Sequence, residues 1–389
     1  MRKKVCVVTG CRSEYGLLLP LLIKIRAGRH FQLQIIATGT HLSSEFGSTY
    51  KLIERDGFKI NRKVRLPLSD DSEAGITKSV GYGMIGFSNA FARLKPDLVI
   101  FLGDRFEIFS AAATAFLSKI PIAHIHGGEL TEGSIDDGLR HAITKFSTFH
   151  LCSTGSYKKR IIQLGENPAS VFDVGALGID NIRNLKLLDK SQVENELNFR
   201  FGKRSVLITF YPSTAEVNSV AGQFKELLAA LDIIEDLNVI FTKPAADINA
   251  RVISKLIDEY VSRRPGRAAA FINLGQLMYL SVMKHVNAVV GNSSSGIIEA
   301  PSLGKPTVNI GFRQKGRVAA KSVIDCAPLS GSIVKALKKA FAPGFNNLCS
   351  NVKNPYGNGR AAEKIYKILR EKFKGQVKTN KTFYDLRVK

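Results

Sequence analysis

The sequence predicts an α/β protein built from two Rossmann-like, doubly wound domains facing a cleft. Three observations carry that expectation. Short β-branched runs alternate with longer amphipathic ones along all 389 residues. Most of the short runs are apolar on both faces, as strands buried inside a parallel sheet are. The alternation pauses once, in the polar, charge-rich segment Leu185–Lys203, and then restarts.

Taken in order, Val5–Val8 reads as a first strand and Tyr15–Ile25 as a helix, with Leu17, Leu18, Leu21, Leu22 and Ile25 at helical spacing. Leu33–Ala37 is the next strand. A helix over Gly81–Arg93 precedes strand Asp97–Leu102, and a helix over Phe106–Leu117 precedes strand Pro121–Ile125. Thr148–Cys152 and Val171–Val174 complete the first group. In the second group, strands are expected at Ser205–Phe210, Val239–Thr242, Ala288–Val290 and Thr307–Ile310. Helices are expected at Ala221–Ile234, Ala250–Val261 and Gly296–Leu303. The spacing of Ala362, Ile365, Tyr366, Ile368 and Leu369 predicts a last helix over Gly359–Phe373 that packs back. The expected domains are therefore 1–184 and 185–373, followed by a tail, 374–389.

Composition narrows the class. At 44% hydrophobic the chain can bury an ample core, and a net charge of +23 is its loudest bulk feature. Such a charge suggests nucleic acid, but the basic residues are dispersed and their densest runs are short. No RNA-reading aromatic stripe and no zinc-finger spacing accompanies them. Five scattered cysteines without CxxC spacing point away from disulfides and structural zinc, toward a reducing compartment. The N-terminal apolar run is too short for a signal peptide, and no window approaches the ~18 apolar residues of a membrane span. The expectation is a soluble, cytoplasmic protein without nucleic-acid or membrane partners.

In open α/β sheets ligands bind beyond the carboxyl ends of strands, and four segments fall there. Thr9–Gly16 (TGCRSEYG) offers free N–H groups beside Arg12, with Ser13 the expected helix cap. It lacks the dinucleotide fingerprint, so a nicotinamide cofactor is not expected. FLGDRFE places Asp104 and Arg105 after a strand. Gly291–Ala300 (GNSSSGIIEA) offers serine hydroxyls and N–H groups to a phosphate, with Glu299 a turn further on for a ribose diol. It has no Walker lysine, which points away from ordinary ATP hydrolysis.

The fourth segment is HIHGGELTEGSIDD, 124–137. As a metal site, His124 and His126 would share one face of a strand, with Asp104 or Asp136 nearby. Metal hydrolases need more histidines than this, and the second half offers only His285, in an apolar region. An acid/base reading fits better: carboxylates near a histidine at a strand end can be tuned toward neutral pH. Asp136 and Asp137, followed by Arg140 and His141, open a further helix whose dipole favours ionised carboxylates. For Glu132, solvation and capping suffice.

Together GDRFEIF, HIHGGE, the Ile135–Lys145 run, GNSSSGIIEAPSLGKPTVNIG and RQKGR (Arg313–Arg317) resemble the hydrolysing UDP-N-acetylglucosamine 2-epimerases of bacterial sialic-acid synthesis. The resemblance runs from TGCRSEYG to Asn354–Gly359 and TFYDL near the C-terminus. It implies a glycosyltransferase-B type fold, UDP in an interdomain cleft, and neither metal nor cofactor. It also implies elimination of UDP to a 2-acetamidoglucal, followed by hydration to N-acetylmannosamine. By motif match Asp104, Asp136 and Asp137 carry the carboxylate roles. His126 or Glu129 is the further acid/base group, with His126 favoured. Arg12 and Ser293, Ser294 and Ser295 would hold the diphosphate, Glu299 the ribose, and Arg313 or Arg317 phosphate charge. Ser13, Arg105, Arg140, Asn292 and Gly296 belong to the same motifs and are further candidate contacts to the UDP-sugar. Tyr211 stands where the family pattern has a histidine, and a phenol is a poor base at neutral pH. Lys243 is a candidate substrate contact. Similar enzymes act on UDP-N,N′-diacetylbacillosamine, which differs at sugar C4 and C6, so the substrate stays open between the two. By the same analogy the chain forms a homo-oligomer, a dimer or tetramer.

Overall fold

The computed structural model describes residues 2–70, 72–132, 134–211, 220–244, 250–375, 377 and 379–386. The chain divides into two compact units. Unit 1 comprises Met1–Glu129, Ile135–Asn181 and Tyr356–Lys389. Unit 2 comprises Leu130–Ser134 and Ile182–Pro355.

Unit 1 contains β1 (Lys3–Thr9), β2 (Phe31–Thr38), β3 (Arg62–Val64), β4 (Leu98–Leu102), β5 (Ile122–Ile125), β6 (Phe149–Cys152) and β7 (Val171–Asp173). They form one parallel sheet in the order β3-β2-β1-β4-β5-β6-β7. The strand order reverses between β1 and β4. That switch point, where loops diverge to opposite faces, is where a crevice forms in doubly wound sheets. The segments leaving β1 and β4 are TGCRSEYG and GDRFE.

Unit 2 repeats the plan with β8 (Arg204–Thr209), β9 (Leu237–Thr242), β10 (Ala268–Phe271), β11 (Ala288–Gly291), β12 (Thr307–Ile310) and β13 (Val323–Cys326). The parallel order is β10-β9-β8-β11-β12-β13, with its switch between β8 and β11. Tyr211 follows β8, and GNSSSG follows β11. Each sheet is covered on both faces by apolar clusters, which explains why its central strands read as unbroken apolar runs.

The expected elements differ from the observed ones mostly at edges. β3, β10 and β13 are edge or near-edge strands without a buried-strand pattern: β3 buries only Val64, and β10 is largely alanine. The helix expected from Gly81 begins at Glu73, because the Ser72 side chain accepts from Gly75 N and caps it. The helix expected over Gly296–Leu303 splits into Ser294–Ile298 and a 3-10 turn, Ala300–Leu303, where Pro301 removes a donor. In the linker, Asp189 and Gln192 form a capping box that opens a helix over Lys190–Leu197. The first helix starts at Arg12, so its cap is Cys11 and not Ser13, which lies exposed inside the first turn.

The last helix, Ala361–Lys372, lies with unit 1 rather than with 185–373. Its stripe Ala361, Ala362, Ile365 and Leu369 enters the core around Leu18, Leu21 and Leu22. Asp180 caps it, its two carboxylate oxygens accepting from Ala361 N at 2.8 Å and Ala362 N at 2.7 Å. The tail after it is tied to unit 1 as well. Lys381 Nζ donates to Glu166 Oε2 at 2.7 Å and Ser147 O at 2.8 Å, and Tyr384 N donates to Gly165 O at 2.9 Å. All five cysteines are free. Among the described residues no helix is long and apolar enough to cross a membrane.

Candidate active site

In unit 1 the centre is Arg140, on the helix Ile135–Phe146 that follows the HIHGGE loop. Its side chain is only 2% exposed. Nε donates to Asp104 Oδ2 at 2.7 Å, and Nη2 makes a second bond to the same oxygen. Nη1 donates to Glu129 O at 2.8 Å and to Asp137 Oδ1 at 3.1 Å. One buried guanidinium thus fixes a carboxylate after β4, one at a helix start, and the backbone after β5. Burial would push this guanidinium down, but Asp104, Glu129 and Asp137 outweigh it and hold it above its ordinary value. Asp137 Oδ2 lies 3.5 Å from His141 Nε2. Asp136 occupies the first turn beside them, partly exposed.

His126 and Glu129 form a second pair, Nδ1 to Oε1 at 2.8 Å, both nearly buried. Ser153 Oγ donates to the same Glu129 oxygen at 2.8 Å. The opposite ring nitrogen, His126 Nε2, has no hydrogen-bond partner among the described residues. His126 sits at φ 67°, a left-handed conformation rare outside glycine, so strand alternation stops at Ile125. The expectation that His124 and His126 share one strand face is therefore corrected. The His124 nitrogens are both engaged, Nε2 with Gly103 O at 2.8 Å and Nδ1 with Thr144 Oγ1 at 3.2 Å. Burial lowers this imidazole to about 3, which keeps it neutral. A Cβ on Gly127 would meet His124 Nδ1 and Thr144 Oγ1, each at 3.0 Å, and Gly128 has φ 76° with Tyr157 O close by. Gly127 lets the loop fold tightly over His124, and Gly128 lets it pass close to Tyr157. Among the described residues no three His, Cys, Asp or Glu side chains converge as metal ligands.

On the other side of the unit 1 switch point, Arg12 opens the first helix with Nη1 buried and without a hydrogen-bond partner among the described residues. Burial, then repulsion from Arg55, lowers its guanidinium. Arg105 behaves differently from a free anion binder, since its Nε donates to buried Glu107 Oε1 at 2.7 Å. Ser13 Oγ lies 3.1 Å from Cys11 Sγ.

In unit 2, Asn292 joins the ends of β8 and β11. Its Oδ1 accepts from Tyr211 N at 2.7 Å, and its Nδ2 donates to Tyr211 O at 2.8 Å. The carbonyl of Asn292 accepts from Arg313 Nη1 at 3.0 Å and Gln314 Nε2 at 2.8 Å. The Arg313 guanidinium stands 5.0 Å from the Tyr211 ring centroid. Ser293 Oγ and Ser295 Oγ are 3.1 Å apart, and Ser295 Oγ also meets Tyr279 OH at 2.5 Å. Glu299 N donates to Ser295 O at 2.9 Å, which places Glu299 one turn beyond. Gly291 has φ 127°, and a Cβ there would lie 2.1 Å from Thr209 O. Gly296 lets Thr307 Oγ1 reach its carbonyl at 2.7 Å. Ser294 and Arg317 lie partly exposed in the same loops. Lys243 is set apart from this group by its ion pair with Asp258, 2.6 Å away. Lys315 pairs with Glu132 at 3.1 Å.

A sequence model for the family described as UDP-N-acetylglucosamine 2-epimerase matches residues 23–370. The chain belongs to that family. Similar proteins include the GDP/UDP-N,N′-diacetylbacillosamine 2-epimerase (hydrolyzing) of Campylobacter jejuni, 44% identical over 83% of this chain and 84% of the relative. Polysialic acid biosynthesis protein P7 of Escherichia coli is 38% identical over 99% and 98% of the two chains. The crystal structure of UDP-GlcNAc 2-epimerase from Neisseria meningitidis bound to UDP-GlcNAc superposes with a TM-score of 0.81, at 19% identity. That match covers 95% of this chain and all of the other, and it shows the shared fold. This family member is therefore an enzyme acting on a UDP-sugar.

Several residues of this epimerase-family site escaped sequence reasoning. Ser153, just after β6, orients Glu129, and Thr144, on the helix Ile135–Phe146, holds His124; neither was singled out in the sequence. Tyr279 comes from a helix with no motif of its own; burial raises its phenol to about 12, so it is a donor at neutral pH. His285 is structural, as its Nε2 contact with Leu188 O at 2.9 Å indicates. Glu14 and Glu107 stand inside the TGCRSEYG and GDRFE motifs. The only signal in the sequence was their place in those motifs.

Proposed function

We propose that the enzyme converts UDP-N-acetylglucosamine and water to N-acetylmannosamine and UDP. The observation that carries the reading is the His126–Glu129 pair, joined through Arg140 to Asp104 and Asp137. It puts two kinds of acid/base group at one strand end, and the reaction needs two. In the first step a base takes the proton from C2, the C1–O bond breaks, and UDP leaves with the electron pair, giving a 2-acetamidoglucal. In the second, water adds its oxygen to C1 and C2 receives a proton on the opposite face. Glu129 accepts from His126 Nδ1–H and so leaves Nε2 as the working nitrogen. Asp136, or Asp137 beside it, serves the other face. Asp104, whose Oδ2 is committed to Arg140, offers its remaining oxygen to the sugar.

The nucleotide is assigned to unit 2: Ser293, Ser294 and Ser295 with Arg313 and Arg317 for phosphate charge, and Glu299 for the ribose. Tyr211, under Arg313, donates a hydrogen bond and is not a base. Asn292 and Gly296 shape this loop. Within unit 1, Arg12 Nη1 is buried with no hydrogen-bond partner among the described residues and is a candidate anion contact, whereas Arg105 balances buried carboxylates; within unit 2, Lys243 stays with Asp258.

A second substrate, UDP-N,N′-diacetylbacillosamine, is favoured by the activity for which the 44% identical Campylobacter jejuni relative is named. The difference rests on a few side chains around C4 and C6. One experiment tests both. A proton NMR time course in D2O with chelator should release UDP and N-acetylmannosamine deuterated at C2. Turnover of only the diacetyl substrate moves the assignment to the second reading, and no turnover of either removes the proposal.

A further inference from the structure

Two buried glutamates lie beside the site and take no part in the chemistry above. Glu14 is 5% exposed and Glu107 only 1%. They flank Gly10 at the end of β1. Glu14 Oε2 accepts from Gly10 N at 2.7 Å. A Cβ on Gly10 would lie 2.6 Å from Glu107 Cγ, and one on Gly39 would lie 3.1 Å from Glu107 Oε1. Two glycines therefore clear the space that the Glu107 carboxylate occupies. The backbone N–H of Gly10, just before the helix cap Cys11, accounts for Glu14 Oε2. It does not account for the rest. Glu14 Oε1 and Glu107 Oε2 are buried, with no hydrogen-bond partner among the described residues.

The surrounding charges do not balance two carboxylates. The cation against them is Arg105, bound through Nε to Glu107 Oε1 at 2.7 Å. Asp104 adds further negative charge from the β4 side, and Cys11 faces the group from the β1 loop. Asp104 already has Arg140 as its own cation. Two carboxylates out of water with one guanidinium cannot both be ionised cheaply, and a proton on one is the low-energy answer.

We propose that Glu14 and Glu107 act as one carboxyl pair that holds a single proton at neutral pH and positions the loops carrying Arg12 and Asp104. Loss of that proton then sets the alkaline limit of the enzyme. The direction agrees with the local electrostatics: burial, then repulsion by Glu107, raises the Glu14 carboxyl to about 8, against the Gly10 N–H and Arg105. Below that value the pair carries one negative charge, neutralised by Arg105. Above it a second charge appears between two loops that serve an anionic substrate. The link to turnover rests on the UDP-sugar reading; the proton itself does not.

The test has two parts. Infrared spectra of the intact wild-type enzyme should show a protonated-carboxyl carbonyl band at pH 7 that disappears by pH 9.5 and is absent at pH 7 from Glu14→Gln and Glu107→Gln. Absence of the band from wild type overturns the proposal, however the variants behave. Separately, kcat/KM of wild type for UDP-N-acetylglucosamine should fall about tenfold per pH unit above pH 8. The Glu14→Gln profile should be flat there, whatever its value at pH 7. A limb that persists in Glu14→Gln, or in Glu107→Gln should the first variant not fold, overturns the positioning role. A band without turnover of any UDP-sugar would leave the proton in place and remove the functional reading instead.

Discussion

At the scale of single residues, Arg140 decides the most. It was legible as a candidate through the Ile135–Lys145 motif, but its partners were not, because Asp104 lies 36 positions away in the chain. The geometry depends on a planar fork, with three nitrogens making four hydrogen bonds to three acceptors. A lysine keeps the charge and loses the fork. Arg140→Lys should lower kcat about a hundredfold or more while the Kd for UDP stays within about twofold. Steady-state kinetics with calorimetry checks this, and a wild-type kcat would sink the assignment. The His126 and Glu129 alternatives, open in the sequence, become one hydrogen-bonded pair in the structure. Periodicity could not show that, since the left-handed turn at His126 breaks the strand pattern from which His126 was placed.

At the scale of elements, the helix Ile135–Phe146 is held at both ends. Its start carries Asp136, Asp137 and Arg140. Its end is tied through Lys145 to Glu166, which also takes His150 and Lys381 of the C-terminal tail. Burial pushes the Glu166 carboxyl up, but the hydrogen bonds from His150, Lys145 and Lys381 win and bring it from 4.5 to about 2. A carboxyl lowered in the folded state stabilises above its unfolded value, and that stability disappears as pH falls from about 4.5 through 2. Glu166→Gln should therefore cost about 3 kcal/mol at pH 7 and show a flatter decline between pH 5 and 2.5. Urea unfolding at a series of pH values measures both, and parallel curves would rule the network out. The sequence contained TFYDL as a motif but gave no hint that the tail ties down this helix, since every partner is distant in the chain.

At the scale of the molecule, the charge of +23 invited a nucleic-acid reading that the motifs countered. Thermal melting with UDP at a hundredfold excess over its Kd should add about 2.7 kcal/mol of stability. Random-sequence RNA at physiological salt should add none, because dispersed charge supplies only weak, salt-screened attraction. RNA stabilisation without a UDP effect would reverse the reading. Central strands, most helices and the strand-end loops were legible from the sequence alone, because buried parallel strands must be apolar on both faces and anion-binding turns need glycine and small hydroxyls. Only the tertiary structure decided which loops meet at the switch points, that the last helix belongs with unit 1, and that Glu14 shares its burial with Glu107. Those outcomes depend on pairings across long stretches of chain, and local pattern carries no information about which distant carboxylate a buried guanidinium will find.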